Sequence, residues 1–366
     1  MDFHPSEEQT ALCELAREIL AKEATPERVR AAERSPEWFD RELWARLADA
    51  NLLGVAVPEA QGGMGMGFLE LCALFVELGR AVAPLPAVPA LAMGGLAIAR
   101  FGSEAQRARW LAPLVRGELV LTAALEPGPA VRARNEGAGF VLEGSRAFVP
   151  AVHVAERVLV PAQGEAGVRV FLVDPTAPGT RALRQRTSRG EPLFGLELAG
   201  VRVAGGEVLD GPGIEAWMTE RALVALAATQ VGVSERALEI TTRYLRERVQ
   251  FGAPLGALQA VQQRCADCFI DLECLRGVTW KAAYELAQDR PAARDAWIAK
   301  FWAAEAGSRI ATATQHLHGG MGADVDYPIH RHFLWSKSLE LALGAALPQL
   351  VELGRDMART GPEARA

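Results

Sequence analysis

The chain has 366 residues, half of them hydrophobic and 23% charged, with a formal net charge of -6. That length exceeds one ordinary core, so two or three packed units are expected. Acids and bases intermingle without a basic stripe, which argues against nucleic acid as a partner, and no apolar run is long enough to span a bilayer.

The N-terminus carries acids where a secretory leader needs bases, and the five cysteines are an odd set, so a reducing, cytoplasmic setting is expected. Helices come first. Ser6 with Gln9 fits a capping box, and Leu12, Leu15 and Ile19 follow at helical spacing up to a break at Pro26. A second helix is expected from about Ser35, with Trp38, Leu43, Trp44 and Leu47 as its apolar stripe. The segment LLGVAVPEAQGGMGMG, with Pro58 and five glycines, interrupts the chain before a helix around Phe68–Arg80, and Trp110, Leu111 and Leu114 end the helical block near Gly117.

From Glu118 to about Gly213 the texture changes to LVLTAAL, GFVLEG, ERVLVPA, VRVFLVD and GVRVAG, short runs separated by Gly, Pro and Asn, as strands of an antiparallel unit would be. Beyond Gly213 four long helices are expected: Glu215–Val249, Leu255–Gln288, Pro291–His318 and Ile329–Arg359. Short links between them suggest an antiparallel bundle. The reading is therefore α+β, with a helical domain over 1–117, a β-domain over 118–213 and a four-helix bundle over 214–366.

Two segments have the composition of a ligand site. In RERVQFGAPLGALQAVQ, Arg248 stands where one helix ends, Gln259 opens the next, and Phe251 lies between. A guanidinium at a helix end can fork onto a diphosphate, a glutamine can donate beside it, and a phenyl face can meet a heteroaromatic ring. The plain alternative is a helix–turn–helix link with a solvated arginine. In QHLHGGMGADVDYPIHRH, Gly319, Gly320 and Gly322 follow a long helix, so the backbone can approach a ligand; the alternative is a glycine-rich helix end. The spacing is neither GxGxxG nor a P-loop.

The same segment holds His316, His318, His330 and His332 with Asp324 and Asp326 between, a set that could serve a His/Asp metal-dependent enzyme. Against that, i, i+2 pairs at helix ends point in different directions. Cys265 and Cys268 lie inside a helix and read as packing residues, and no G-x-S-x-G elbow is present.

The α, β, α order, LLGVAVPEAQGGMG and the two segments above together resemble the acyl-CoA dehydrogenase family over nearly the whole chain. The resemblance implies a helical domain, a β-domain, a four-helix bundle, and FAD bound non-covalently at a subunit boundary of a dimer or dimer of dimers. It implies an acyl-CoA substrate and an electron-transfer acceptor. Carried over by position, Arg248, Phe251 and Gln259 would hold the diphosphate of a neighbour's FAD, and Gln315, Gly319 and Gly320 its adenosine side.

The family's base is a carboxylate near Cα of the acyl group, and here this chain departs. Where the family commonly has Glu before a Gly-Thr pair, this chain has Leu343 before Gly344; the alternative family position, ten residues before Gly232, is Ala222. Glu220 and Glu340 are the nearest carboxylates, and Glu220 is the expected base, although two residues turn a helical side chain by ~200°. Thr-Glu-Pro and Trp-x-Thr runs that contact the flavin in the family are Leu125-Glu126-Pro127 and Phe148-Val149-Pro150 here, without the hydroxyls. The expected activity is FAD-dependent α,β-dehydrogenation of an acyl-CoA, alone or as one subunit of a heteromeric enzyme. The alternative is a non-catalytic subunit that completes a partner's FAD site, of the kind found in complexes acting on steroid-type or dicarboxylic CoA esters.

Overall fold

The computed structural model describes Ser6–Gly361 and divides into two compact units. One combines residues 27–71 with 84–222; the other combines the described residues up to Pro26 with Cys72–Ala83 and the described residues from Leu223 onward.

Helix α1 (Glu7–Glu23) opens with the expected capping box: Ser6 Oγ accepts from the Gln9 amide at 3.1 Å, and Gln9 Oε1 accepts from the Ser6 amide at 3.0 Å. Pro26 ends it and also starts α2 (Pro26–Arg34), which the sequence reading missed. The helix expected from Ser35 begins later, as α3 (Arg41–Asp49), because Asp40 caps it by accepting from the Leu43 amide at 2.9 Å. Trp38 is therefore off that helix, with φ at 50°. Helix α4 (Phe68–Ala81) follows, then a wide π-type turn (Val88–Gly95), α5 (Leu96–Phe101) and α6 (Glu104–Val115).

The sheet unit contains β1 (Leu121–Ala123), β2 (Val131–Glu136), β3 (Gly139–Pro150), β4 (Arg157–Gly164), β5 (Gly167–Val173), β6 (Thr180–Arg186), β7 (Pro192–Ala204) and β8 (Val208–Leu209). They run in the order β6-β7-β3-β2-β4-β5-β8, with β1 joined to β4. Most neighbours are antiparallel as expected, but β1 and β2 each pair parallel with β4, so the sheet is mixed. Its buried face is built from Val131, Leu142, Val158, Val160, Phe171, Leu196 and Val201. Gln106 on α6 ties the helices to this sheet by donating to the carbonyls of Gly206 and Val208 at 2.9 and 3.0 Å.

The second unit is helical: with α1 and the part of α4 from Cys72 it contains α7 (Ile214–Glu247), a small hairpin of β9 (Val249–Gln250) and β10 (Ala253–Pro254), α8 (Gln259–Ala287), α9 (Ala293–Leu317), α10 (Ile329–Leu341) and α11 (Ala346–Thr360). Residues of α7 up to Ala222 belong with the sheet unit. Gly232 on α7 lies against the Val76 carbonyl of α4 so closely that any Cβ would collide with backbone. The fourth long helix of the sequence reading is in fact two, broken between Leu341 and Ala346. At the break Leu343 and Gly344 take φ of 54° and 91°. Lys300 on α9, wholly buried, donates to the carbonyls of Glu340 and Gly344 at 3.0 Å each, and the Gln349 amide donates to those of Leu343 and Gly344.

Candidate functional site

At the end of α7 the Arg248 amide donates to the Tyr244 carbonyl at 2.8 Å and closes the last turn. The chain then reverses in the β9–β10 hairpin through Phe251 and Gly252, with φ of 55° and 80°. Two successive positive φ values are the mark of a type I′ reversal, which suits glycine and strains phenylalanine. The Leu255 amide returns to the Arg248 carbonyl at 2.8 Å and locks the hairpin base. Phe251 is 89% exposed at the tip, and Arg248 and Gln259 are exposed beside it in sequence. Gln259 is the first residue of α8, and no side chain caps that helix start. Free amide N–H groups and a guanidinium are the donors a phosphate needs.

The glycine segment forms a tight turn over Gly319–Ala323. Gly319, with φ of 58°, and Gly320 are exposed, and nothing lies within 4 Å of where their Cβ atoms would be. Gly322 is buried against Gln315, whose amide nitrogen donates to the Gly322 carbonyl at 3.2 Å. Gln315 therefore spends one of its two amide hydrogens inside its own turn and keeps the other hydrogen and its oxygen for further contacts.

His318, beside these glycines, stacks on Tyr244 with ring centroids 4.5 Å apart and 28° between planes. Tyr327 packs on the other two rings, at 5.2 Å from His318 and 6.3 Å from Tyr244. Sequence reasoning singled out neither tyrosine. The available signal was that Tyr244 lies one turn before Arg248 and Tyr327 one residue before the proline that leads into α10.

Three of the four histidines are spent on backbone carbonyls, His318 Nδ1 on Thr314 at 2.7 Å, His330 Nδ1 on Tyr327 at 2.6 Å and His332 Nδ1 on Pro328 at 3.2 Å, while His316 is exposed. Among the described residues no three His, Cys, Asp or Glu side chains gather as a metal site. Burial holds His332 neutral, with its pKa down to about 4, and pushes the Cys268 thiol up to about 12, so it stays protonated.

The two positions where the family keeps its base are closed. Leu343 is 6% exposed and Ala222 is fully buried. Glu340 is held by Lys337 at 2.8 Å. Glu220, on α7 in the sheet unit, is half-buried and makes no hydrogen bond or ion pair among the described residues. Burial raises its pKa, with the Arg221 guanidinium opposing the shift. In the same unit, β3 shifts register between Arg146 and Val149, and Phe148 takes φ of 53° with 52% of its surface exposed. The Pro150 carbonyl accepts from Thr122 Oγ1 at 2.7 Å, and Leu125 is buried.

Family models decide the identity: the acyl-CoA dehydrogenase N-terminal domain matches residues 6–118 and the C-terminal domain residues 214–356. The chain belongs to the acyl-CoA dehydrogenase family. It is 40% identical to acyl-CoA dehydrogenase FadE27 of Mycobacterium tuberculosis over 98% of this chain and 100% of that one. Among solved structures, the ChsE4-ChsE5 complex from Mycobacterium tuberculosis is 40% identical, covers 100% of both chains and has a TM-score of 0.95. A variant of the Tcur3481-Tcur3483 steroid ACAD is 44% identical, covers 96% of this chain and 98% of that one, and has a TM-score of 0.91. The helical, sheet and helical order is thus that of the acyl-CoA dehydrogenase fold, and the activity class is FAD-dependent dehydrogenation of an acyl-CoA. No helix of the described residues is long and apolar enough to cross a membrane.

The residues present fit FAD at one end. Exposed Arg248, the uncapped start of α8 and the open glycines suit its diphosphate and adenosine. The stretch that meets the isoalloxazine in the family fits less well, because a buried leucine and a proline stand where hydroxyl donors would be.

Proposed function

We propose that this chain works in the cytoplasm as one subunit of a heteromeric acyl-CoA dehydrogenase, a dimer or dimer of dimers, and completes the FAD site of an unlike partner. Arg248, Phe251, Gln259, Gln315, Gly319 and Gly320 would be its contribution to the nucleotide end of that FAD. The observation that carries this reading is the pair of buried apolar side chains, Leu343 and Ala222, at both positions where the family keeps its base. Removal of the α-proton needs a carboxylate in a dry pocket, and neither residue can accept a proton. When bound, FAD supplies the hydride acceptor for the β-hydrogen. This chain's part is to neutralise the diphosphate through Arg248 and to fix the nucleotide by backbone donors at Gly319 and Gly320. Its likeness to a steroid ACAD supports a bulky, steroid-type CoA ester as substrate. An electron-transfer protein would be the acceptor.

The test is to purify the chain alone and co-expressed with its partner, and to measure flavin stoichiometry and turnover. One FAD for each pair of unlike chains, with activity only in the pair, is expected. A homo-oligomer carrying one FAD per chain and turning over unaided would overturn the proposal.

A second reading makes Glu220 the base, favoured by its burial and its lack of a hydrogen-bond partner. A carboxyl whose folded pKa is raised must lose its proton before it can act. The rate would then rise with pH through a limb above the usual glutamate range, and Glu220→Gln would abolish turnover. Unchanged turnover in both Glu220→Gln and Glu340→Gln removes both carboxylates from consideration.

A further inference from the structure

The three-ring cluster at the foot of the glycine turn connects the segments to which the proposed function assigns the FAD nucleotide. Tyr244 belongs to the last turns of α7, and its carbonyl accepts the Arg248 amide. His318 directly precedes Gly319, and Tyr327 ends the glycine segment, its amide donating to the Asp324 carbonyl at 3.2 Å. His318 is 2% exposed. Its Nδ1 meets the Thr314 carbonyl at 2.7 Å, so Nδ1 carries the hydrogen and anchors the ring to α9. Its Nε2 is buried with no hydrogen-bond partner, so the ring's remaining interactions are made by its faces. One face lies on Tyr244, and the neighbouring ring is Tyr327.

We propose that His318 is a positioning residue that clamps the Gly319–Gly320 turn to the Arg248 hairpin. The diphosphate-side and adenosine-side contacts then meet one FAD as a single preformed surface. This rests on the reading that those two segments hold the nucleotide. Burial lowers the pKa of His318, so the ring stays neutral and the stack adds no charge of its own beside the arginine. Preorganisation of this kind acts on affinity, because the free protein no longer has to order two loops when the ligand arrives.

The test uses the co-purified FAD-containing assembly. His318→Ala is expected to raise the dissociation constant for FAD by up to about ten-fold, the range of an aromatic pair, with kcat per bound FAD unchanged. His318→Phe keeps a ring on Tyr244 and is expected to recover most of the affinity. In the FAD-free chain, amide hydrogen exchange at Gly320–Gly322 is expected to quicken in His318→Ala and to return towards the parent rate in His318→Phe. If His318→Ala fails to fold, Tyr244→Leu removes the same stack from its other side and is read in the same way. Arg248→Leu separates the two ideas. Loss of FAD in Arg248→Leu with parent affinity in His318→Ala overturns the clamp alone; parent affinity in both overturns the nucleotide-end reading beneath it.

Discussion

Two interruptions of the helical unit share a backbone and differ in everything else. The β9–β10 hairpin turns at Phe251-Gly252 and the α10–α11 break at Leu343-Gly344, and in both a bulky residue with φ near 55° precedes a glycine at positive φ. Phe251 is almost wholly exposed, and nothing lies within 4 Å of where a Gly252 Cβ would be. Leu343 is buried, and its turn is held by an ammonium and an amide on four carbonyl contacts. Left-handed backbone at a non-glycine residue costs roughly 1–2 kcal/mol, so each turn needs compensation from its surroundings. At the break, compensation comes from the protein's own interior. At the hairpin the base is held by backbone hydrogen bonds while the tip, Phe251 and Gly252, is open, so strain there makes the tip a candidate for contact with something outside the chain.

The comparison is sharpened most by removing the ammonium. Lys300→Ala leaves the Glu340 and Gly344 carbonyls without that donor and opens a cavity under the break. A loss of about 3 kcal/mol or more is expected from an unsatisfied buried acceptor plus lost packing, read by urea unfolding. Arg248→Ala at the exposed hairpin is expected to change stability by less than about 0.5 kcal/mol in the same measurement. Equal losses at the two sites would erase the distinction between a closed turn and an open one.

The break also shows what the sequence could and could not carry. Its residues LELALGAAL continue an apolar helical rhythm, and the group that stabilises the interruption, Lys300, lies on another helix about forty residues earlier. No local pattern holds that information. The polar strands β2 (VRARNE) and β6 (TRALRQR) were invisible for a related reason. They are largely exposed and owe their pairing to β3 and β7: VRAR alternates for only four residues and TRALRQR hardly at all, so the pattern of a half-buried strand is too short to recognise. By contrast, the Ser6–Gln9 capping box and the long helices α7, α8 and α9 were legible, since their signals are local and repeated. In the candidate site the charged and glycine residues could be named from type and spacing. The rings that join them could not, because Tyr244 and His318 meet only after two helices have packed.

The direct test of the two turns is the same substitution at each. Leu343→Gly removes the left-handed strain but deletes a buried side chain, whose loss costs about 2–5 kcal/mol, and adds glycine's freedom to the unfolded chain, so a net destabilisation of roughly 1–4 kcal/mol is expected. Phe251→Gly removes a similar strain and deletes a side chain that buries almost nothing. Part of the relief is cancelled by the extra freedom glycine gives the unfolded chain, about 0.5–1 kcal/mol. The isolated chain should therefore become slightly more stable, by up to about 1 kcal/mol, in urea unfolding. FAD retention by the assembled enzyme should fall at the same time, because the exposed phenyl face is gone. Opposite movement of stability and cofactor affinity is the signature of strain kept at a ligand-facing turn. A Phe251→Gly chain that is less stable than its parent, or that holds FAD equally well, would show that the hairpin is only a link between α7 and α8.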